Sequence, residues 1–198
     1  QSNGISSNIQ TRARQKQFRY IYRRIKKQYF TMKMNKERIR TYSWENPEEI
    51  AEKAMNLSGY DFLKAMFEDK VAVPPILQTL NFTISEFNKG NIVFEFTPQE
   101  YHYNPIGSVH GGVITTILDS AIGCSLHSTL PKNTAYTTLE IKLNFLKKIT
   151  EKTGVLKTNT KIIHSGKSTA LVESDLIDES GNTYAHAVST CMVFNLKK

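Results

Sequence analysis

Two features have the residue types and spacing to do chemistry: the tripeptide His110-Gly111-Gly112 and, eight residues beyond Gly111, the carboxylate of Asp119. Asp119 is the only Asp, Glu, Lys or Arg between His110 and Leu130, within an apolar and small-residue run from Val113 to Leu126. A carboxylate among apolar groups is costly to bury, so it needs a partner or a task. The bland reading is a satisfied structural hydrogen bond; the neighbouring glycines favour a task. The first backbone N–H groups of a helix lack intrahelical partners and lie at the positive end of its dipole, and glycines let a ligand approach them. Such donors suit a carbonyl oxygen on which negative charge builds in a transition state.

Geometry limits how these two features can cooperate. Eight residues of helix at ~1.5 Å each separate Gly111 from Asp119 by roughly 12 Å. A base or nucleophile must act within about 3–3.5 Å of the reacting atom. One helix therefore cannot bring both groups to one carbonyl. If both act, Asp119 of one subunit meets Gly111 of another, at a symmetric dimer interface with two sites.

The surrounding pattern must hold that helix in place. Asn46-Pro47-Glu48-Glu49 combines a capping residue, a first-position proline and acids in the first turn, and predicts a helix running toward Gly59. A second short helix is expected from Tyr60 to Glu68, and Pro74-Pro75 is expected to end helical structure and open an extended stretch. Alternation then predicts strands: one through Leu80, Phe82 and Ile84, and a second from Asn91 to Thr97. After the Val113–Leu126 helix come four more, Tyr136–Leu146, Thr153–His164, Ser168–Asp178 and Thr183–Asn195, with hairpin signals at 165–167 and 179–182. A helix apolar nearly all round must be buried. The expected class is α+β: an antiparallel sheet curled around one long helix, preceded by N-terminal helices.

At this point a family resemblance is plain. Asn104-Pro105-Ile106-Gly107-Ser108-Val109-His110-Gly111-Gly112, with Asp119 and Gly123, resembles the signature of PaaI-type hotdog-fold thioesterases, in the 4-hydroxybenzoyl-CoA thioesterase-like superfamily. The segments from Ser58 to Met66, Pro74 to Ile76 and Thr138 to Leu146 are similar to that family as well, so the likeness spans about Trp44 to Phe194. It implies a hotdog fold and hydrolysis of an acyl-CoA to a carboxylic acid and CoA. Asp119 would activate water or attack the thioester directly, and the Gly111 N–H would polarise its carbonyl, with His110 and Gly112 at the same corner. Asn104 would hold the water or the thiol side of the substrate. Thr138, on the polar side of its strand, would orient the water. Lys167 is a candidate contact to a CoA phosphate, though a solvated surface lysine is the blander account. Neither a metal nor an organic cofactor is expected. A hotdog hydratase or dehydratase acting on enoyl or hydroxyacyl thioesters is the enzymatic alternative.

Charge is divided unevenly. Residues 1–40 hold 12 Lys/Arg against one acid, Glu37, while the remainder holds 14 basic and 17 acidic residues, so the whole-chain charge of +8 arises in the tail. Apolar residues at helical spacing from Lys16 to Phe30 suggest a basic amphipathic helix within an otherwise disordered tail. An upstream artefact or functionless extension is the blander reading, with Met32 or Met34 resembling a natural start. The tail is the only support for an acyl-CoA-responsive DNA-binding regulator, and it is short of apolar residues for such a module. No apolar run approaches the ~20 residues of a membrane helix, and no apolar segment of a secretion signal follows the basic N-terminus. The expectation is a cytoplasmic homodimer or homotetramer, with no membrane or nucleic-acid partner. Cys124 and Cys191 lack metal-type spacing and read as buried apolar residues.

Overall fold

The computed structural model describes residues 37–196, together with Arg23. The rest of the basic tail, including most of the candidate helix from Lys16 to Phe30, lies outside the described residues. All the elements below belong to one packed unit, Tyr42–Lys198.

Three short helices come first. α1 (Pro47–Asn56) is capped by Asn46, whose side chain accepts the Glu48 N–H. α2 (Gly59–Phe67) is capped in the same way by Ser58, whose hydroxyl accepts the Asp61 N–H. The third helix corrects an expectation: Pro74-Pro75 does not open an extended stretch, because α3 (Pro75–Leu80) begins there. Pro75 occupies the first helical position, where its missing N–H costs nothing and its φ is already helical. The helix stops at Asn81, which takes the left-handed conformation at φ 53°. Leu80 therefore lies in α3, and the first strand starts two residues later.

The strands are β1 (Phe82–Asn88), β2 (Asn91–Phe96), β3 (Thr134–Phe145), β4 (Leu156–Ser165), β5 (Thr169–Asp178) and β6 (Thr183–Asn195). They form one antiparallel sheet in the order β1-β2-β4-β5-β6-β3. Between β2 and β3 runs α4 (Gly111–His127), which packs against five of the six strands. Ile117, Leu118, Ala121, Ile122 and Leu126 of this helix are fully buried. Beneath it, β6 presents Ala185, Ala187 and Ser189, small side chains that let the sheet curl closely around a helix about 10 Å across.

The β2–β4 ladder is short, pairing only Glu95 with Lys157 and Phe96 with Leu156. Side-chain hydroxyls take over beyond that point. Ser128 accepts the Gly90 N–H, Ser125 the Ile92 N–H and Thr158 the Phe94 N–H, at 2.7–2.9 Å. These bonds satisfy backbone donors that would otherwise be left unpaired; the Ser125 bond ties α4 to β2, and the Ser128 bond ties the residue after α4 to the turn before β2.

Candidate active site

α4 begins where the loop after β2 turns into it. His110 is the N-cap: its Nδ1 accepts the Gly112 N–H at 2.9 Å. Gly112 is thereby occupied, whereas the Gly111 N–H has no hydrogen-bond partner among the described residues. A side chain at Gly111 would press on the Phe145 ring, which lies 2.8 Å from the position of a Cβ there. Asn104 turns back on its own loop. Its Oδ1 accepts the Ile106 and Ser108 N–H groups and its Nδ2 donates to the Ser108 hydroxyl. Asn104, Gly111 and Phe145 border a cleft of about 460 Å³, with Lys147 and Lys148 beside them.

Asp119 belongs to a different space. It enters a pocket of about 330 Å³ whose walls include Leu63 and Met66 of α2, Leu77 of α3 and Phe94 of β2. The Thr138 hydroxyl donates to Asp119 Oδ1 at 2.9 Å. Thr138 reaches the helix because the β3–β6 register shifts between Thr138 and Glu140. Simple alternation puts Thr138 on the polar face with Glu140; the irregularity turns it inward instead. Thr137 is exposed on the other side.

The structure thus brings Asp119 and Thr138 together, groups Gly111 with Asn104, and joins His110 to Gly112. The two groups do not share a cavity. Lys167 sits in the β4–β5 turn and lines neither space.

Comparison with known proteins agrees with this fold. Residues 106–185, from the loop before α4 into β6, match the thioesterase superfamily. The chain is similar to the 1,4-dihydroxy-2-naphthoyl-CoA hydrolase of Listeria monocytogenes, 26% identical over 61% of this chain and 95% of that protein. Among solved structures it is similar to a phenylacetic acid degradation-related protein of Ralstonia eutropha, with a TM-score of 0.59 and 25% identity over 65% of this chain and 97% of that one. The PaaI protein of E. coli shares the fold, at a TM-score of 0.59 and 19% identity over 71% of this chain and 97% of that one.

Three further residues shape the Asp119 pocket. Cys124, His127 and Tyr136 line it together. Burial and the nearby Asp119 carboxylate push the Cys124 thiol up to about 12, so it stays protonated and unreactive. Burial lowers the His127 pKa and keeps the ring neutral. Burial above all, with the nearby Asp119 carboxylate adding to it, raises the Tyr136 phenol well above its usual range. Tyr136 lies against α4 at Gly123, a position where no side chain fits. The sequence carries one trace of this surface: Asp119, Gly123 and His127 recur at four-residue spacing and share a helix face.

Proposed function

We propose that this enzyme hydrolyses acyl-CoA thioesters with Asp119 as general base and the Gly111 N–H as the oxyanion donor, each supplied by a different protomer of a dimer. The observation that carries the reading is the separation of these groups into two spaces, one apolar and entered by a carboxylate, the other open and headed by a free helix N-terminal donor. The acyl group occupies the pocket under α2 and α3. The thiol portion of CoA occupies the Gly111 cleft, where Lys147 and Lys148, rather than Lys167, meet its phosphates.

Asp119 takes a proton from water as the oxygen adds to the thioester carbon. The resulting oxyanion is held by the Gly111 N–H at the positive end of the helix dipole. Collapse breaks the C–S bond, and the thiolate leaves with the proton that Asp119 received. Thr138 fixes one carboxylate oxygen so that the other faces the water.

A dimer is supported by β3, an edge strand of 12 residues with the apolar side chains Leu139, Phe145 and Leu146 more than half exposed along or beside it. An edge so long and apolar invites pairing with a second copy.

Replacing Asp119 with Asn keeps the shape and removes the base. The expected loss in kcat is roughly 10²–10⁴-fold, with the variant folded by circular dichroism. Hydrolysis at the native rate by Asp119→Asn would end this assignment.

A further inference from the structure

The irregularity in β3 decides which of its side chains reach α4. Before it, Tyr136 and Thr138 face the helix, opposite Val193 and Cys191; after it Ile141 and Leu143 do, opposite Ser189 and Ala187. Leu139 is the extra residue, since Thr138 pairs with Cys191 and Glu140 already with Thr190. An unbroken strand cannot achieve this combination, because only alternate side chains share a face. Ile141 and Leu143 dictate the register after the bulge, for the opposite choice would place Glu140 and Lys142 under α4. Without the bulge Thr138 would therefore turn outward, away from Asp119. A bulge disrupts the ladder locally and leaves a residue unpaired, so something must hold it.

The support is reciprocal. Ser189 of β6 donates its hydroxyl to the Glu140 carbonyl at 2.6 Å, and the Glu140 carboxylate accepts the Thr190 N–H at 3.0 Å. Each strand lends a side chain to the other's backbone at the step where the register shifts. Ser189 is fully buried, in a stripe of β6 otherwise filled by Ala185, Ala187, Cys191 and Val193. A hydroxyl there is costly unless it is bonded. The Cys191 thiol, opposite Thr138, lies 3.8 Å from the Ser189 hydroxyl, which places the serine next to the Thr138 step. We propose that Ser189 and Glu140 are positioning residues for hydrolysis: they lock the β3 bulge and so hold Thr138 against Asp119. This rests on the reading of Thr138 as the group that steers the catalytic carboxylate. Neither Ser189 nor Glu140 borders the Asp119 pocket or the Gly111 cleft, so their effect on the reaction is routed through Thr138.

The test is a double-mutant cycle on hydrolysis of whichever of acetyl-, octanoyl-, palmitoyl- and benzoyl-CoA is turned over fastest, with folding checked by circular dichroism. Ser189→Ala is expected to lower kcat at least about fivefold with KM little changed. In a Thr138→Val background the same substitution is expected to change kcat by less than about twofold, because the hydroxyl it positions is already gone. A merely structural serine would lower kcat by the same factor in both backgrounds. That result overturns the proposal, as does native kcat in Ser189→Ala. Glu140→Ala is expected to give a smaller fall, and Glu140→Gln to restore the rate, since an amide oxygen still accepts the Thr190 N–H. If Ser189→Ala does not fold, the Glu140 pair decides. A fall that Glu140→Gln rescues and that vanishes in Thr138→Val supports the lock, and any other result overturns it. Native kcat in Thr138→Val brings down the reading of Thr138 and the lock with it, a result distinct from an idle Ser189 beside an effective Thr138. Hydrolysis of none of the four thioesters brings down the Asp119 reading, on which both depend.

Discussion

The two halves of α4 differ in almost everything except their backbone. At the N-terminal end, His110 and Gly112 are exposed, an N–H is left unpaired, and Lys147 and Lys148 stand at the adjoining cleft. From Ile117 to His127 the helix is embedded, and the face carrying Asp119, Gly123 and His127 meets an apolar pocket. Helix dipole stabilisation falls off within the first turn, so Asp119, two turns along, gains little from it. Its charge is supported instead by the Thr138 hydroxyl. One end is therefore suited to holding a developing oxyanion and a phosphate-bearing group near water. The other is suited to an acyl chain and a base. Since roughly 12 Å of helix keeps these ends apart, the asymmetry within one chain becomes complementarity between two.

That division of labour can be broken directly. Gly111→Pro removes only the N–H at a position where proline is compatible with a helix, and the exposed Phe145 ring can swing aside to admit it. Gly111→Pro and Asp119→Asn are each expected to be nearly inactive alone. Unfolded together and refolded as a mixture, they are expected to regain roughly a quarter of native activity, because half of the dimers are mixed and each holds one intact site. Sites built within single chains would regain nothing. A smaller effect tests how Asp119 is held. Thr138→Val removes a charge-assisted hydrogen bond, and kcat is expected to fall roughly 10- to 100-fold with KM little changed. Thr138→Ser is expected to restore most of the rate, which a purely structural defect would not allow.

The sequence makes some of this contrast visible and hides the rest. The buried helix and the four strands after it are legible because their periodicity is long and their turns are marked by Gly166 and Gly181. The helix at Pro75 is not, since a proline that ends one helix is equally at home in the first turn of another. Thr138 is found by likeness to a family, but its true face depends on a register shift in β3, which leaves no local signature. Asn104 borders the same cleft as Gly111, but that its amide is spent on its own loop is visible only in the structure. Tyr136 is missed because its fit against Gly123 joins two elements that only the packed sheet brings together. His127 is visible as the third member of a four-residue repeat; its lack of a partner is visible only in three dimensions.

The smallest expected effect concerns how dry the embedded half is. Burial depresses the His127 pKa, while in the unfolded chain the ring titrates near its ordinary value of about 6.5. Above that pH the ring is neutral in both states and adds no slope to stability. Below it, the unfolded chain binds a proton that the folded chain refuses, so stability falls with pH until the folded value is passed. The contribution is at most about 1.4 kcal/mol per pH unit across that window. Urea midpoints at pH 7.5 and 5.5 are therefore expected to fall further for the native enzyme than for His127→Gln, which has no titrating group there. Parallel declines would mean that the imidazole is protonated as easily in the fold as outside it. The far end of the Asp119 pocket would then be as wet as the Gly111 end, and the contrast between the two halves of the helix would shrink to the acyl-binding walls alone.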